Sequence, residues 1–171
     1  MSLAENYGQS RVHVRGPPSD EHLFAWLAFS SLYNLCMSYP YSGVDLRRHP
    51  EMYEIGRGEQ GVFHAEPYKS ELSPLWRFKD AKAAKRAADD IYERFLDYKA
   101  EGDFVGMDVA RKYLQMGYTR ARRYAKYEGG NKSKPLARLD PEKGRAAEIF
   151  YSKWRKAAED EEYLKLKEEH R

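Results

Sequence analysis

The chain has 171 residues, of which 42% are hydrophobic and 33% are charged, and its formal net charge is +3. This length supports one domain with its own core and is too short for two well-packed domains. A net charge this small excludes neither acidic nor basic partners, so the distribution of charge along the chain is more informative than its sum.

Cys36 is the only cysteine in the chain. A lone cysteine cannot form an internal disulfide or a cysteine-based metal site, so we expect a reducing, intracellular location, in the cytoplasm or nucleus. Cys36 lies in an apolar run, which favours a small buried side chain over a nucleophile.

The N-terminal segment contains two predicted elements. Residues 1–18 are rich in glycine and proline and predict a disordered lead-in. Residues 20–38 predict a buried or partner-packed helix capped by Ser19. The surrounding window, residues 22–44, lacks charged residues, but its serines, Asn34 and Pro40 dilute the apolar run, and we expect no membrane span.

The middle of the chain predicts a short helix, then a glycine loop with a strand, and then a longer helix. The string "HPEMYEI" predicts a short helix with Pro50 at its first position. A glycine loop, "GRGEQG", follows, and "GVFHA" after it predicts a short strand. From Asp80 onward the pattern becomes helical, with apolar residues at helical spacing up to the stop at Gly102: Ala84, Ala88, Ile91, Phe95 and Tyr98.

Two more helices are predicted in the C-terminal part. One runs from about Val105 to Tyr127 and stops at Gly129-Gly130. The other opens at Asp140-Pro141 and is long and charged; its first half should dock on the core, and its second half should be solvated and frayed. We therefore predict a mainly α fold with a small β element, a compact helical domain with a long charged C-terminal helix. The expected divisions are 1–18, 19–139 and 140–171.

The loop "IGRGEQGVF" contains the pattern G-x-G-x-x-G. In a dinucleotide-binding fold, a strand enters these glycines and a helix leaves them, whereas here the predicted order is reversed. The kinase glycine loop also fits poorly, because no H-R-D or D-F-G string occurs. We interpret the glycines as residues that provide positive-φ turns and close backbone approach.

Several polar side chains around this loop form a candidate enzyme pocket. If "VFHAE" is a strand, His64 and Glu66 share one face and could transfer protons. The alternatives are a solvated strand edge and a structural ion-pair network. The five histidines have no metal-ligand spacing, and the sequence indicates no metal or cofactor. The candidate pocket comprises Arg57, Glu59, His64, Glu66 and Lys69.

The strongest functional signal is a basic helix. Residues 103–138 carry nine Lys or Arg against three Asp or Glu, a net charge of +6. On a helical wheel six cations of "ARKYLQMGYTRARRYAKY" fall on one half, opposite an apolar half that contains Tyr118. Cations beside tyrosines suit phosphates and bases. The predicted nucleic-acid contacts are Arg111, Lys112, Arg120, Arg122, Arg123, Lys126 and Tyr127.

Two other interpretations of the basic helix remain open. The cations could be neutralised within the molecule, by the helix after Asp140 or by the carboxylates of residues 80–101. They could also bind an acidic protein or another polyanion. A partner that packs on residues 20–38 would instead make the protein an interaction module. The choice between DNA and RNA and the oligomeric state are not determined by the sequence.

Long strings of this chain resemble a known family. From "YSGVDLRRHPEMYEIGRGEQGV" through "EPYKSELSPLWRFKD" to "GDFVGMDVARKYLQMGYTRARRYAKYEGG", residues 41–130 are similar to an uncharacterised family of small proteins from bacteria, tailed phages and some eukaryotes, a domain of unknown function. The resemblance implies that the glycine loop and the basic helix share one domain. It also implies that residues 1–40 and the tail after Leu139 are additions or variable ends, and it implies no activity.

Overall fold

The chain divides into two units, residues 1–38 and 39–171, and the computed structural model describes residues 41–171. The predicted lead-in, the predicted helix over residues 20–38 and Cys36 all lie outside this part. The described part is mainly helical. Its five α-helices are α1 (Tyr68–Leu72), α2 (Ala81–Ala100), α3 (Phe104–Lys126), α4 (Pro141–Ala158) and α5 (Glu161–Glu169), with short 3-10 turns at Pro50–Met52 and Glu128–Gly130.

Aspartates start the four longer helices. The side chains of Asp80, Asp103, Asp140 and Asp160 each accept a hydrogen bond from a backbone N–H in the first turn that follows. Those N–H groups have no partner inside the helix, so each cap typically stabilises its helix by about 1 kcal/mol. The caps explain why helix boundaries could be predicted from local sequence.

The core lies between α2, α3 and α4, which pack against one another in all three pairings. The predicted apolar face of α2 is confirmed, since Ala84, Ala88, Ile91, Phe95 and Tyr98 are all buried. The α2–α3 turn occurs at Gly102, whose positive φ of 69° is readily adopted only by glycine. The predicted bounds of α3 are also confirmed to within a residue.

Two glycines on α3 allow neighbouring aromatic rings to approach the helix backbone. A Cβ atom at Gly117 would lie 2.4 Å from Phe150 of α4, and one at Gly106 would lie 2.6 Å from Tyr98 of α2. Both distances are far below a normal contact, so the rings occupy the space a side chain would need. These close approaches let α3 serve as the central helix of the domain.

The predicted strand over "GVFHA" is wrong. Residues 61–64 form a turn, in which His64 N–H donates to the Gly61 carbonyl at 2.9 Å and Gly61 has a φ of 82°. Within residues 41–171, β pairing is limited to two isolated bridges, Asp45 with Glu66 and Tyr127 with Pro135. Val62 is buried and Phe63 exposed, so their alternation reflects a turn lying on the core.

The predicted long C-terminal helix is interrupted. α4 ends at Ala158, and Asp160 caps a separate helix, α5. The expectation that the second half is solvated and frayed is wrong, because Tyr163 is buried in the core. His170 Nε2 also donates to the Tyr53 carbonyl at 2.7 Å. The break redirects the chain so that the apolar side of α5 returns to the domain.

Candidate nucleic-acid interface

The basic helix α3 has two different halves. Its N-terminal half is buried on nearly all sides, and even Asp108 and Lys112 have no exposed surface. Its C-terminal half emerges from the core, with Arg122 and Lys126 exposed and Arg120 and Arg123 partly exposed. The helical wheel treated the helix as uniform along its length, but the surrounding helices cover only the first half.

A buried ionic cluster occupies the N-terminal half. Asp108 accepts hydrogen bonds from Arg111 Nε at 2.9 Å, from Tyr163 OH at 2.7 Å and from Tyr53 OH at 2.5 Å. Lys112 Nζ lies 3.2 Å from the same carboxylate and donates to Tyr53 OH at 2.7 Å and to the Gln60 carbonyl at 3.1 Å. Each of the three ammonium protons of Lys112 therefore has an acceptor.

The cluster shifts the pKa values of its members. Burial by itself would raise the pKa of Asp108, but Arg111, Lys112 and the two tyrosine hydroxyls outweigh it and hold that pKa far below its usual range. Burial lowers the pKa of Lys112, with Asp108 opposing the shift. Burial and the nearby carboxylate both raise the pKa of Tyr53. The carboxylate is thus the counter-charge that two buried cations require.

This placement removes Lys112 from the predicted nucleic-acid contacts. A side chain with no exposed surface cannot reach a phosphate, and its ammonium instead holds the glycine loop against α3 through the Gln60 carbonyl. Arg111 is 12% exposed and bound to Asp108, and it lies beside a cavity away from the C-terminal half of the helix. The sequence signal for both residues was the wheel, which cannot distinguish a solvated cation from a buried one.

Replacing Tyr163 by phenylalanine tests the docking of α5. Tyr163→Phe removes one hydrogen bond to the buried Asp108 carboxylate, and we expect the free energy of unfolding to fall by about 1.5–3 kcal/mol, as for hydrogen bonds to charged groups. Leu164→Ala, at the exposed neighbouring position, should change it by less than about 0.5 kcal/mol. Urea unfolding measures both, and equal effects would contradict this account of α5.

The exposed half of α3 lines a groove of about 530 Å³, which we call the basic groove. It collects five cations and a single carboxylate, that of Glu59. Four of the cations come from the last two turns of α3, and Lys132 comes from the loop that follows. The lining residues are Glu59, Tyr118, Thr119, Arg120, Arg122, Arg123, Lys126, Tyr127 and Lys132.

The cations of the basic groove are not neutralised by the carboxylates of residues 41–171. No carboxylate there lies within 4.0 Å of Arg120, Lys126 or Lys132, or of the two other groove arginines. Arg122 donates to Tyr118 OH at 3.0 Å, and Arg123 donates to the Gly130 carbonyl at 2.7 Å. The alternative pairing of these groove cations with α2 or with the helix after Asp140 is therefore not formed within the described residues.

Aromatic rings adjoin the cations. Tyr127 lines the basic groove as a predicted contact, and Tyr118, which the wheel assigned to the apolar half, lines it as well. Tyr118 stacks on Trp154 with ring centroids 5.8 Å apart and an interplanar angle of 19°, and it also contacts Tyr151, which is 39% exposed. These rings form an aromatic platform at the side of the groove.

The glycine loop lies against α3 next to the basic groove. Gly56 allows a close approach, since a Cβ there would be 2.8 Å from the Gln60 carbonyl oxygen, and Gly58 has a φ of 64°. Both roles assigned to the glycines from the sequence are confirmed. Thr119 donates a hydrogen bond to Glu59, which fixes the loop to the helix.

The residues of the candidate enzyme pocket are distributed over separate surroundings. Arg57 lines one cavity and Glu59 lines the basic groove. Glu66 pairs with Lys69 at 2.7 Å and accepts from Ser70, and His64 Nδ1 lies 3.5 Å from Ser42 Oγ. Because residues 61–64 are a turn, the shared strand face that motivated a proton-transfer role is absent. No catalytic proposal follows from this set.

A family comparison covers all of the described part. The sequence model of DUF4385, a domain of unknown function, matches residues 37–171. The chain belongs to this family. No curated protein and no solved structure matches the chain significantly. The DUF4385 match extends well beyond residues 41–130, so the interpretation of the tail after Leu139 as an addition or variable end is wrong, in agreement with the docking of α5.

Two further observations concern the described part of this DUF4385 protein. Within residues 41–171, no helix is long and apolar enough to cross a membrane. The same residues contain no group of three or more His, Cys, Asp or Glu side chains that could hold a metal ion. Sequence reasoning missed Tyr118, Thr119 and Lys132 as groove residues.

Proposed function

We propose that this DUF4385 protein binds nucleic acid along the basic groove. The observation that carries the proposal is a concave surface with five cations that have no carboxylate partner within residues 41–171. Unpaired like charges on one helix repel each other, as Arg122 and Lys126 do at a spacing of four residues. A bound polyanion would relieve that repulsion and release its own counter-ions.

The form of the groove favours a single strand over a duplex. Proteins that bind single strands combine a positively charged groove with aromatic side chains on which bases stack. Tyr127 and Tyr118 line the groove among the cations, and Tyr151 is exposed beside it. We assign phosphate contacts to Arg120, Arg122, Lys126 and Lys132, and base stacking to Tyr127. Arg123 has a structural role through its bond to the Gly130 carbonyl.

The experiment is a fluorescence-anisotropy titration with single-stranded and duplex DNA and RNA at several salt concentrations. The test variant replaces three exposed or partly exposed groove cations, Arg120→Gln, Arg122→Gln and Lys126→Gln. Each lost phosphate contact should reduce the salt dependence of log K by about 0.7 for single strands. We therefore expect binding at least about tenfold weaker at low salt and a slope lower by about 2.

A matched control removes the same charge elsewhere. Lys79, Lys82 and Arg86 are exposed around the start of α2, outside the basic groove, and pair with no carboxylate of the described part. Replacing these three by glutamine should leave affinity within about twofold, apart from long-range steering. Equal losses in both triple variants would show a non-specific charge effect, and absence of binding by the unaltered chain at low salt would overturn the proposal.

A further inference from the structure

A second cavity is lined by residues of the glycine loop other than Glu59, which lines the basic groove. It has a volume of about 400 Å³ and lies between the loop, α3, the end of α4 and α5. Gly56, Arg57 and Gly58 line it from the loop, Arg111 from α3 and Lys167 from α5. We call it the loop cavity. Its volume is within the range of small-molecule sites.

The side chains that line the loop cavity include four cations and no carboxylate. Arg57 and Lys167 have no carboxylate within 4.0 Å among residues 41–171. Lys167 instead lies over the Tyr163 ring at 5.6 Å. Arg171 pairs with Glu168 at 2.7 Å, so we assign it no part in binding. The cavity therefore offers two uncompensated cations beside the guanidinium of Arg111.

The buried ionic cluster beside the loop cavity is positively charged, like the side chains that line the cavity. Arg111 and Lys112 share the single carboxylate of Asp108, and so the buried cluster has a net charge of +1. Such a charge under a water-accessible cavity attracts an anion more strongly than an equal charge on an open surface, because less water screens it. Arg111 is 12% exposed, and its Nε and Nη2 both contact Asp108. Its guanidinium is therefore held in place before any ligand binds.

Backbone donors of the glycine loop also lack acceptors. The ring of Trp154 lines the cavity, but its Nε1–H is buried and we assign it no part in binding. Backbone N–H groups from Gly56 to Glu59 make no hydrogen bond within residues 41–171. Arg57 and Gly58 are exposed and Gly56 is half-buried, and consecutive free loop N–H groups near cations are a common arrangement for binding anions.

We propose that the loop cavity binds the phosphate group of a small phosphorylated molecule. Guanidinium groups bind phosphate with two parallel hydrogen bonds, and Arg57 supplies such a group at the cavity. Arg111, whose Nε and Nη2 contact Asp108 and whose Nη1 donates to Gln115, adds positive charge, as does Lys167. At Gly58 a Cβ would meet no atom closer than Gln115 Nε2 at 3.8 Å, so this glycine leaves space for a ligand beside the backbone. This differs from a dinucleotide fold, because the phosphate here lies between a glycine loop and helix side chains, without a strand before the loop. The site does not depend on nucleic-acid binding by the groove.

The experiment is isothermal titration of the full chain with inorganic phosphate and with pyrophosphate, each at constant ionic strength maintained with chloride. Arg57→Gln combined with Lys167→Gln alters two side chains without carboxylate partners, so the fold should persist, as checked by circular dichroism. We expect this variant to bind phosphate and pyrophosphate about tenfold or more weakly. The groove variant with glutamine at 120, 122 and 126 should stay within about twofold of the unaltered chain.

Trp154 provides an independent readout inside the cavity. Addition of phosphate should change tryptophan emission in the unaltered chain and in Trp76→Phe, and the change should disappear in Trp154→Phe. Absence of both heat and emission change with either probe would overturn the proposal. Loss of phosphate binding in the groove variant, with the loop-cavity variant unaffected, would also overturn it and place the phosphate in the groove.

Discussion

Asp108→Asn should lower the free energy of unfolding by about 3–5 kcal/mol at neutral pH, and the melting temperature by roughly 6–20 °C. The substitution preserves shape but removes the negative charge between Arg111 and Lys112. Two buried cations then face each other without a counter-charge. Guanidinium-chloride unfolding followed by circular dichroism measures the change.

The pH dependence gives this prediction a specific signature. The folded pKa of Asp108 is depressed, whereas the unfolded value is about 3.9. A depressed carboxyl pKa contributes stability that is fully present above the unfolded pKa and is lost as the pH falls below it toward the folded value. The difference between the unaltered chain and Asp108→Asn should therefore shrink as the pH falls from about 5 to about 2.

Asp90→Asn is the matched control. Asp90 is exposed on α2 and forms no ion pair within residues 41–171, so the same chemical change should alter stability by less than about 0.5 kcal/mol. Adding Lys112→Met to Asp108→Asn should recover part of the loss, because it removes one uncompensated cation. A cost below about 1 kcal/mol for Asp108→Asn would show that the carboxylate is not the counter-charge of the cluster.

Gly117→Ala should destabilise the domain by about 1–3 kcal/mol. The new Cβ would lie 2.4 Å from the Phe150 ring, and that ring is fully buried, so it cannot swing into solvent. Alanine is otherwise the better helix former by about 1 kcal/mol, so the measured loss is the net of a larger clash and this gain. Urea unfolding at several protein concentrations is the measurement.

Gly144→Ala provides a control of opposite sign. Gly144 lies in α4, and a Cβ there meets no atom within 4 Å. The same substitution should then increase stability by about 0.5–1 kcal/mol through helix propensity and a less flexible unfolded chain. Similar effects at Gly117 and Gly144 would contradict the proposed close packing of α3 on α4.

Local signals were sufficient for α2 and α3, but they did not reveal the break between α4 and α5, which were predicted as one helix. Capping aspartates, the turn glycine at Gly102 and apolar spacing act over a few residues, and the bounds of α2 and α3 follow from them. The same signals failed at "GVFHA", where β-branched and aromatic residues suggested a strand but no second strand exists to pair with it in the described part. A strand depends on a partner, and a partner is a tertiary property.

The sequence predicted most of the cations of the candidate site, but it did not predict which of them are buried or which loop residues join them. The periodicity of α3 correctly collected the cations, and Arg120, Arg122, Arg123, Lys126 and Tyr127 do line one groove. It could not show that Lys112 is buried, because a wheel contains no information on which turns of a helix are covered. Nor could it show that Glu59 and Lys132 join the groove, since both come from loops whose positions depend on packing.

By itself the sequence determined a helical domain, the bounds of α2 and α3 and a helix with excess positive charge, because these depend on residues a few positions apart. Only the tertiary structure decided which cations are buried with Asp108 and which are left without carboxylate partners in the described part. It also decided that the C-terminal segment returns to the core through Tyr163. The ion pairs of Asp108 with Arg111 and Lys112 are local, three and four residues apart. Their burial depends on neighbours distant in the chain, such as Tyr53 and Tyr163, and no local pattern specifies it.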